Sequence, residues 1–233
     1  MKTSQLVTIC QLQLIHVFLQ IEGQIQVSAC GQLYATNLAI RVTNGFSPNH
    51  HWPWHAAIYH QIGQSAPTYK CGGTLISTKS VLTAAHCVSV NNAQMDVETV
   101  TVWLGRLNLA IKEDSGQWFG VSEILVHPDY NSIDYVNDIS IITLSTDATF
   151  NDYVQPICLW KSDKTDLSEV VGKMGTVIGW GLTQNGALST TLQEANYPVV
   201  DLLTCIKSNP LFFGSILTEK SFCAGNRNGS IKL

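Results

Sequence analysis

The stretch Leu82-Thr-Ala-Ala-His86-Cys87 lies in a chain of short apolar and β-branched runs, and these runs decide the fold class. Before residue 150, the clearest runs cover residues 56–59, 73–77, 100–104 and 139–144. Turn residues such as Asn44-Gly45 and His127-Pro-Asp129 separate them. Many short strands with turn residues between them predict an all-β barrel or sandwich.

The second half of the chain continues the same pattern. Residues 151–172 are richer in Asp, Lys and Ser than their flanks and are interpreted as a connector. A strand-rich stretch then includes residues 174–181, 192–200 and 219–223. Only short helices are expected: a single turn over residues 83–88, and a helix over residues 201–208 that Asp201 caps and that stops before Pro210.

Composition indicates a globular protein with one large β domain or two small ones. Of its 233 residues, 45% are hydrophobic and 13% are charged, which is not the composition of a disordered chain. The net charge is -4, and no run of Lys and Arg supplies the basic face that would meet phosphates. We therefore expect no nucleic-acid partner and no membrane-surface role.

Residues 1–29 are interpreted as a cleaved signal peptide, so that the mature protein is secreted. Lys2 gives a positive start, a mostly apolar run follows, and Val27-Ser-Ala29 offers the small residues that a signal peptidase uses. Cleavage near Gly23 is an alternative. A membrane anchor is less well supported, because polar residues interrupt the run before it reaches the length of a spanning helix.

Secretion changes the meaning of the seven cysteines. Cys10 would leave with the signal peptide, and an even number would remain in an oxidising compartment, which suits disulfides. Six cysteines allow fifteen pairings, and the sequence pattern alone does not choose among them. A thiol enzyme is weakly supported, because only Cys87 has a neighbouring base, His86.

Six ordered motifs over residues 30–229 resemble the trypsin/chymotrypsin family of serine endopeptidases. They are Lys70-Cys-Gly-Gly-Thr-Leu-Ile-Ser77, Leu82-Thr-Ala-Ala-His-Cys87, Asn137-Asp-Ile139, Gln155-Pro-Ile-Cys-Leu159, Gly179-Trp-Gly181 and Phe222-Cys-Ala-Gly225. The resemblance implies an all-β, chymotrypsin-like double β-barrel. It also implies that His86 is a general base and Asp138 its orienting carboxylate, since a serine hydroxyl needs an imidazole to take its proton and the imidazole needs a fixed tautomer.

The same resemblance implies further site residues. Its disulfides would be Cys30–Cys158, Cys71–Cys87 and Cys205–Cys223. Its activation cleavage would separate Arg41 from Val42 through an upstream protease, which makes residues 30–41 a pro-segment and residues 42–233 the peptidase domain. Within that domain, a complete first barrel would cover residues 42–150, and residues 173–233 would form a truncated second barrel.

The family's nucleophile motif, Gly-Asp-Ser-Gly-Gly, does not occur in the sequence. We expect this chain, as written, to lack endopeptidase activity, because the nucleophile, the oxyanion hole and the specificity pocket belong to that missing block. Three hypotheses remain open. The chain is a truncated form of a secreted endopeptidase with protein substrates and inhibitors, a non-catalytic decoy in an extracellular protease cascade, or a fragment without function.

No cofactor is implied, and a metal site is not expected. His50, His51 and His55 cluster near the start of the domain, and imidazoles can bind zinc. No Cys, Asp or Glu lies beside them in sequence, so a solvated loop is the better interpretation.

Overall fold

The structure is a computed structural model that describes residues 7–9, 30–33, 51–159, 168–181, 188–217 and 221–225. These residues divide into two units. The first holds those within Ile25–Leu159 together with Ser189–Gln193, and the second holds those within Met1–Gln24, Trp160–Leu188 and Glu194–Leu233. Among the residues described, no helix combines the length and the apolar character that a membrane crossing requires.

Strands dominate both units, and short 3₁₀ turns occur at Ala85–Cys87 and Val97–Thr99. In chain order, the strands are β1 (Val7–Ile9), β2 (His55–His60), β3 (Thr68–Leu75), β4 (Ser80–Thr83), β5 (Ser89–Val90), β6 (Ala93–Gln94), β7 (Val100–Leu104), β8 (Gln117–Val126), β9 (Ser140–Leu144), β10 (Met174–Gly179), β11 (Gln193–Val200) and β12 (Phe222–Ala224).

Six strands of the first unit close into a barrel in the order β2-β3-β4-β9-β8-β7. Every neighbouring pair is antiparallel, including the β2–β7 pair that closes the ring. The predicted all-β fold with a complete first barrel is therefore confirmed. A closed barrel has no exposed sheet edge, and it holds the ends of its strands, and the residues that follow them, in fixed positions.

The barrel core follows from alternation along the strands. In β7 and β9, every second side chain points inward and is buried, and the side chains between them are partly exposed. The side chains with no exposed surface include Ala56, Ala57, Ile58, Leu75, Val81, Val102, Leu104, Ile142 and Leu144. Burial of each larger one contributes about 1.5–3 kcal/mol relative to exposure.

The second unit contains a four-stranded sheet in the order β1-β12-β11-β10 and two short helices, Leu202–Ser208 and Pro210–Ile216. Asp201 caps the first helix by accepting a hydrogen bond from the Thr204 amide at 2.8 Å, as predicted. Pro210 does not only end that helix. It begins the second one, because proline lacks the amide hydrogen that a first helical residue leaves unpaired anyway.

Strand β1 lies inside the segment that the sequence predicts to be a signal peptide. It pairs antiparallel with β12, with Val7 opposite Ala224 and Ile9 opposite Phe222. The β-branched run Val-Thr-Ile has high strand propensity, and the edge of β12 offers it free backbone groups. This pairing belongs to the uncleaved chain, and removal of residues 1–29 as a signal peptide stays a prediction.

Candidate active site

His86 lies in a tight turn at the end of a barrel strand. Strand β4 leads into the 3₁₀ turn Ala85–Cys87, which is closed by the Cys87 amide donating to the Ala84 carbonyl at 3.2 Å and the Val88 amide donating to the Ala85 carbonyl at 3.0 Å. Ala85 has no exposed surface. A larger side chain would collide with the packed barrel wall here, which explains the small residues before His86.

A disulfide and a hydrogen bond attach this turn to the barrel. A disulfide joins Cys87 to Cys71 on strand β3. The His60 ring donates from Nε2 to the Cys87 carbonyl at 2.8 Å, and burial lowers the pKa of His60, which favours the neutral imidazole. The turn that carries His86 is thus tied to two barrel strands.

Asp138 follows a residue in an unusual backbone conformation. Asn137 has φ +56°, in the left-handed region that asparagine adopts more readily than most residues. Its side chain is buried and donates from Nδ2 to the Asp129 carbonyl at 2.9 Å. The Ile139 amide donates to the Asn137 carbonyl at 2.8 Å, so the chain turns tightly around Asp138 before strand β9 begins.

The structure brings His86 and Asp138 together through two hydrogen bonds. The His86 backbone amide donates to Asp138 Oδ1 at 2.8 Å, and His86 Nδ1 is 2.7 Å from Asp138 Oδ2. An ionised carboxylate can only accept, so Nδ1 carries the proton of this second bond. In the neutral imidazole, Nε2 is then the nitrogen with a free lone pair, and it lies 3.5 Å from Cys87 Sγ.

Asp138 also sets the proton affinity of His86. Its hydrogen bond, more than its charge, raises the pKa of His86, and partial burial of the ring opposes this effect. The Asp138 side chain is only 14% exposed, whereas that of His86 is 49% exposed. A shielded carboxylate therefore supports an imidazole that is open to a reactant, as general-base catalysis requires.

Tyr135 borders the imidazole. Its ring meets the His86 ring edge to face, with centroids 5.9 Å apart, and it is itself exposed. Its backbone φ of +56° is strained for an aromatic residue, and such strain is common beside functional sites.

The three disulfides of the structure join Cys30 to Cys158, Cys71 to Cys87 and Cys205 to Cys223, the same pairs that the resemblance implies. The proposed cleavage residues Arg41 and Val42 lie outside the described residues, as does His50. His51 packs edge-on against Tyr153, with ring centroids 4.4 Å apart.

His55 is separated from solvent. It is buried in β2, and burial lowers its pKa to about 4.

In the described part of the chain, Cys71, His86 and Cys87 are the group of potential metal ligands whose ligand atoms lie within 4.8 Å of one another. Both sulfurs are committed to the disulfide, so they are not thiolate ligands in this state.

Sequence reasoning missed four residues near the site: Ser89, Asn92, Tyr130 and Ser132. They connect the hairpin after His86 to the segment before Asp138. Serine and asparagine are common turn residues and tyrosine is a common core aromatic, so these residue types do not indicate a contact between distant parts of the sequence. A search for polar residues close to both motifs would have raised them only as candidates.

Comparison with known proteins identifies a family. The family model described as Trypsin matches residues 42–232. Chymotrypsin-C of Bos taurus is 34% identical over 202 residues, which cover 85% of this chain and 71% of that protein. Serine protease gd of Drosophila melanogaster is 34% identical over 194 residues, and Venom serine protease Bi-VSP of Bombus ignitus is 35% identical over 184 residues.

The last two matches cover 75% and 76% of this chain, but only 36% and 49% of those proteins. The chain thus spans between a third and a half of the length of these two relatives. The family model nevertheless covers most of the chain, and its range includes both His86 and Asp138. The chain belongs to the trypsin family of serine proteases.

Proposed function

We propose that this chain carries the general-base half of a secreted serine-type endopeptidase that hydrolyses peptide bonds in proteins. One observation supports this proposal most strongly. Asp138 accepts hydrogen bonds from both the backbone amide and Nδ1 of His86, at 2.8 and 2.7 Å. This arrangement fixes the ring orientation and the tautomer together, so that Nε2 is the atom that takes a proton from a hydroxyl nucleophile.

The stabilising effect of Asp138 grows as the reaction proceeds. When Nε2 accepts a proton, the imidazole becomes cationic, and the carboxylate beside Nδ1 stabilises that form. The raised pKa of His86 reflects the same stabilisation of the protonated imidazole by Asp138. The proton is later returned from Nε2 to the leaving amine, so the pair is restored at the end of each cycle.

A polypeptide of these 233 residues is proposed to lack peptidase activity by itself. Its sequence contains no Gly-Asp-Ser-Gly-Gly motif, so no serine is held against Nε2 by the family's nucleophile loop. In triad enzymes, loss of the serine alone lowers kcat by about 10⁶-fold. The same loop supplies the family's oxyanion-hole amides, and their loss removes a further source of stabilisation.

Secretion and activation by cleavage after Arg41 are part of the proposal. Three disulfides are typical of proteins that fold outside the reducing cytosol. The Cys30–Cys158 bond would keep the pro-segment attached after cleavage, because Cys30 precedes Arg41 and Cys158 follows the first barrel. An upstream protease is then the expected activating partner, and protein substrates and inhibitors are the others.

The function is tested by a chimera in which a family segment with Gly-Asp-Ser-Gly-Gly follows Gly225. We expect the chimera to hydrolyse peptide substrates after cleavage at Arg41. Asp138→Asn should lower kcat by about 10⁴-fold, because the tautomer is no longer fixed. Asp129→Asn, on an exposed side chain of the same segment, is the matched control and should keep activity. Equal kcat values for the two variants would refute the assignment of Asp138.

The inactivity of the 233-residue polypeptide is tested separately. The secreted protein, cleaved after Arg41, is incubated with a serine-reactive fluorophosphonate probe and analysed by mass spectrometry. We expect no labelled serine, with the active chimera as the positive control. Labelling of any serine in the polypeptide would refute this part of the proposal without affecting the roles of His86 and Asp138.

A further inference from the structure

The two segments that carry His86 and Asp138 run side by side beyond the pair itself. The hairpin β5–β6 follows the His86 turn directly. The segment 127–139 leads from β8 to β9 and has Asp138 near its end. Two links, a buried side-chain contact and a surface hydrogen bond, join this segment to the turn and hairpin away from the His86–Asp138 bonds.

The inner link is buried. Ser89 Oγ donates to the Ala85 carbonyl at 2.7 Å, inside the turn that carries His86. The Tyr130 hydroxyl lies beside the Ser89 side chain. Both Ser89 and Tyr130 are 8% exposed, so water does not readily enter this contact.

The outer link is on the surface. The Ser132 amide donates to Asn92 Oδ1 at 2.6 Å. Asn92 occupies the second position of the two-residue turn between β5 and β6, where Asn91 and Asn92 have φ values of +51° and +63°. Two residues with positive φ are typical of the tight hairpin turn that matches strand twist, and this conformation determines where the Asn92 side chain lies.

The segment 127–139 transmits these links to Asp138. The Asn131 amide donates to the Val136 carbonyl at 3.1 Å, which closes the loop that contains Ser132. Asn137 Nδ2 donates to the Asp129 carbonyl at 2.9 Å, which ties the residue before Asp138 to the residue before Tyr130. A shift of Tyr130 or Ser132 therefore moves the backbone on which Asp138 sits.

We propose that Ser89, Tyr130, Asn92 and Ser132 form a loop clamp that positions Asp138 against His86. All four are positioning residues, since they act on the pair through the backbone and not on a reactant. The loop clamp explains how a carboxylate on one loop keeps two short hydrogen bonds to a half-exposed histidine on another. Its role in catalysis rests on the proposed function, but its effect on the His86–Asp138 bond does not.

The surface link offers the cleaner test, because no buried group changes. Asn92→Gly removes the side-chain acceptor and keeps a residue that adopts positive φ without strain. Asn91→Gly, in the same turn, is the matched control, since its side chain is outside the link. In the wild-type 233-residue protein, proton NMR observes the His86 Nδ1 proton and the titration of the His86 ring, and Asp138→Asn provides the reference without the bond.

We expect Asn92→Gly to speed exchange of the Nδ1 proton with water by about threefold to tenfold, the effect of losing one hydrogen bond. The measured pKa of His86 should also move toward its value in Asp138→Asn. Tyr130→Phe should act in the same direction, with Tyr59→Phe, a buried tyrosine elsewhere in the barrel, as its control. Asn91→Gly and Tyr59→Phe should match the wild type.

Retention of wild-type exchange and pKa in both Asn92→Gly and Tyr130→Phe would overturn the loop clamp, provided that Asp138→Asn changes them. Should Tyr130→Phe fail to fold, Asn92→Gly decides alone. If Asp138→Asn has the same Nδ1 proton exchange and the same His86 pKa as the wild type, the result would instead contradict the proposed function, and the loop clamp with it. The two failures are therefore distinguishable in one set of spectra.

Discussion

Gly73 lies where the barrel wall has no room for a side chain. A Cβ at this position would lie 2.8 Å from Val81 Cγ1, 3.2 Å from Ile58 Cδ1 and 3.2 Å from the Leu82 carbonyl oxygen. Val81 and Leu82 belong to strand β4, which leads into the His86 turn. Gly73→Ala should therefore push β4 outward and disturb both the core and the platform of the site.

The size of the effect follows from two opposed contributions. Overpacking of a filled core costs about 1–3 kcal/mol. Replacement of glycine by alanine restricts the unfolded chain and stabilises the protein by about 0.4–1 kcal/mol where the backbone permits it. The expected net loss for Gly73→Ala is about 1–2 kcal/mol. In urea unfolding followed by tryptophan fluorescence, the midpoint should fall by roughly 0.5–1 M, with an unchanged slope.

Gly120→Ala is the matched control on another strand of the same barrel. Its added Cβ would meet Ser145 Oγ at 3.4 Å, which is an ordinary contact. Here the restriction of the unfolded chain is not opposed by a clash, so we expect unchanged or slightly higher stability. A Gly73→Ala protein that unfolds at the same urea concentration as Gly120→Ala would refute the packing argument.

Three further predictions concern the disulfide, a helix cap and pH. Replacing Cys71 and Cys87 together by alanine should lower the free energy of unfolding by about 3 kcal/mol, because the bond closes a loop with a sequence separation of 16; a loss under about 1 kcal/mol in denaturant titration would contradict this. Asp201→Ala should cost about 1 kcal/mol and loosen the helix that follows, and unchanged amide exchange there would show that the cap is dispensable. The raised pKa of His86 contributes stability that is fully present below the pKa of the unfolded state and is lost as pH rises through the pKa of the folded state. Urea unfolding midpoints should therefore fall over that pH interval. The fall should be smaller in Asp138→Asn, and equal falls in the two proteins would contradict the linkage.

Strands with clean alternation could be predicted from the sequence, and interrupted ones could not. Strand β7 reads Val-Thr-Val-Trp-Leu, and its burial alternates accordingly. Strand β8 was not predicted, because Gly120, Ser122 and Glu123 break its apolar pattern. The register of β8 against β9 shifts between Val121 and Glu123, so a bulge also interrupts the alternation that sequence reasoning depends on.

The site could be predicted as a pair of residues but not as a set of contacts. His86 and Asp138 were identified by motifs, and their spacing in the chain says nothing about the distance between them. The links from Tyr130 to Ser89 and from Ser132 to Asn92 join positions about 40 residues apart, the first through a side-chain contact and the second through a single hydrogen bond. Such pairings depend on how two loops pack against each other, and local sequence patterns do not predict the packing of distant loops.

We infer that Asp138 holds His86 in the tautomer and orientation of a general base. NMR titration of the His86 ring in the wild-type protein and in Asp138→Asn tests it most directly. We expect a wild-type pKa above the ordinary value for histidine and a clearly lower pKa in Asp138→Asn, because the hydrogen bond to Oδ2 is the main cause of the increase. The same pKa in both proteins would contradict this role of Asp138.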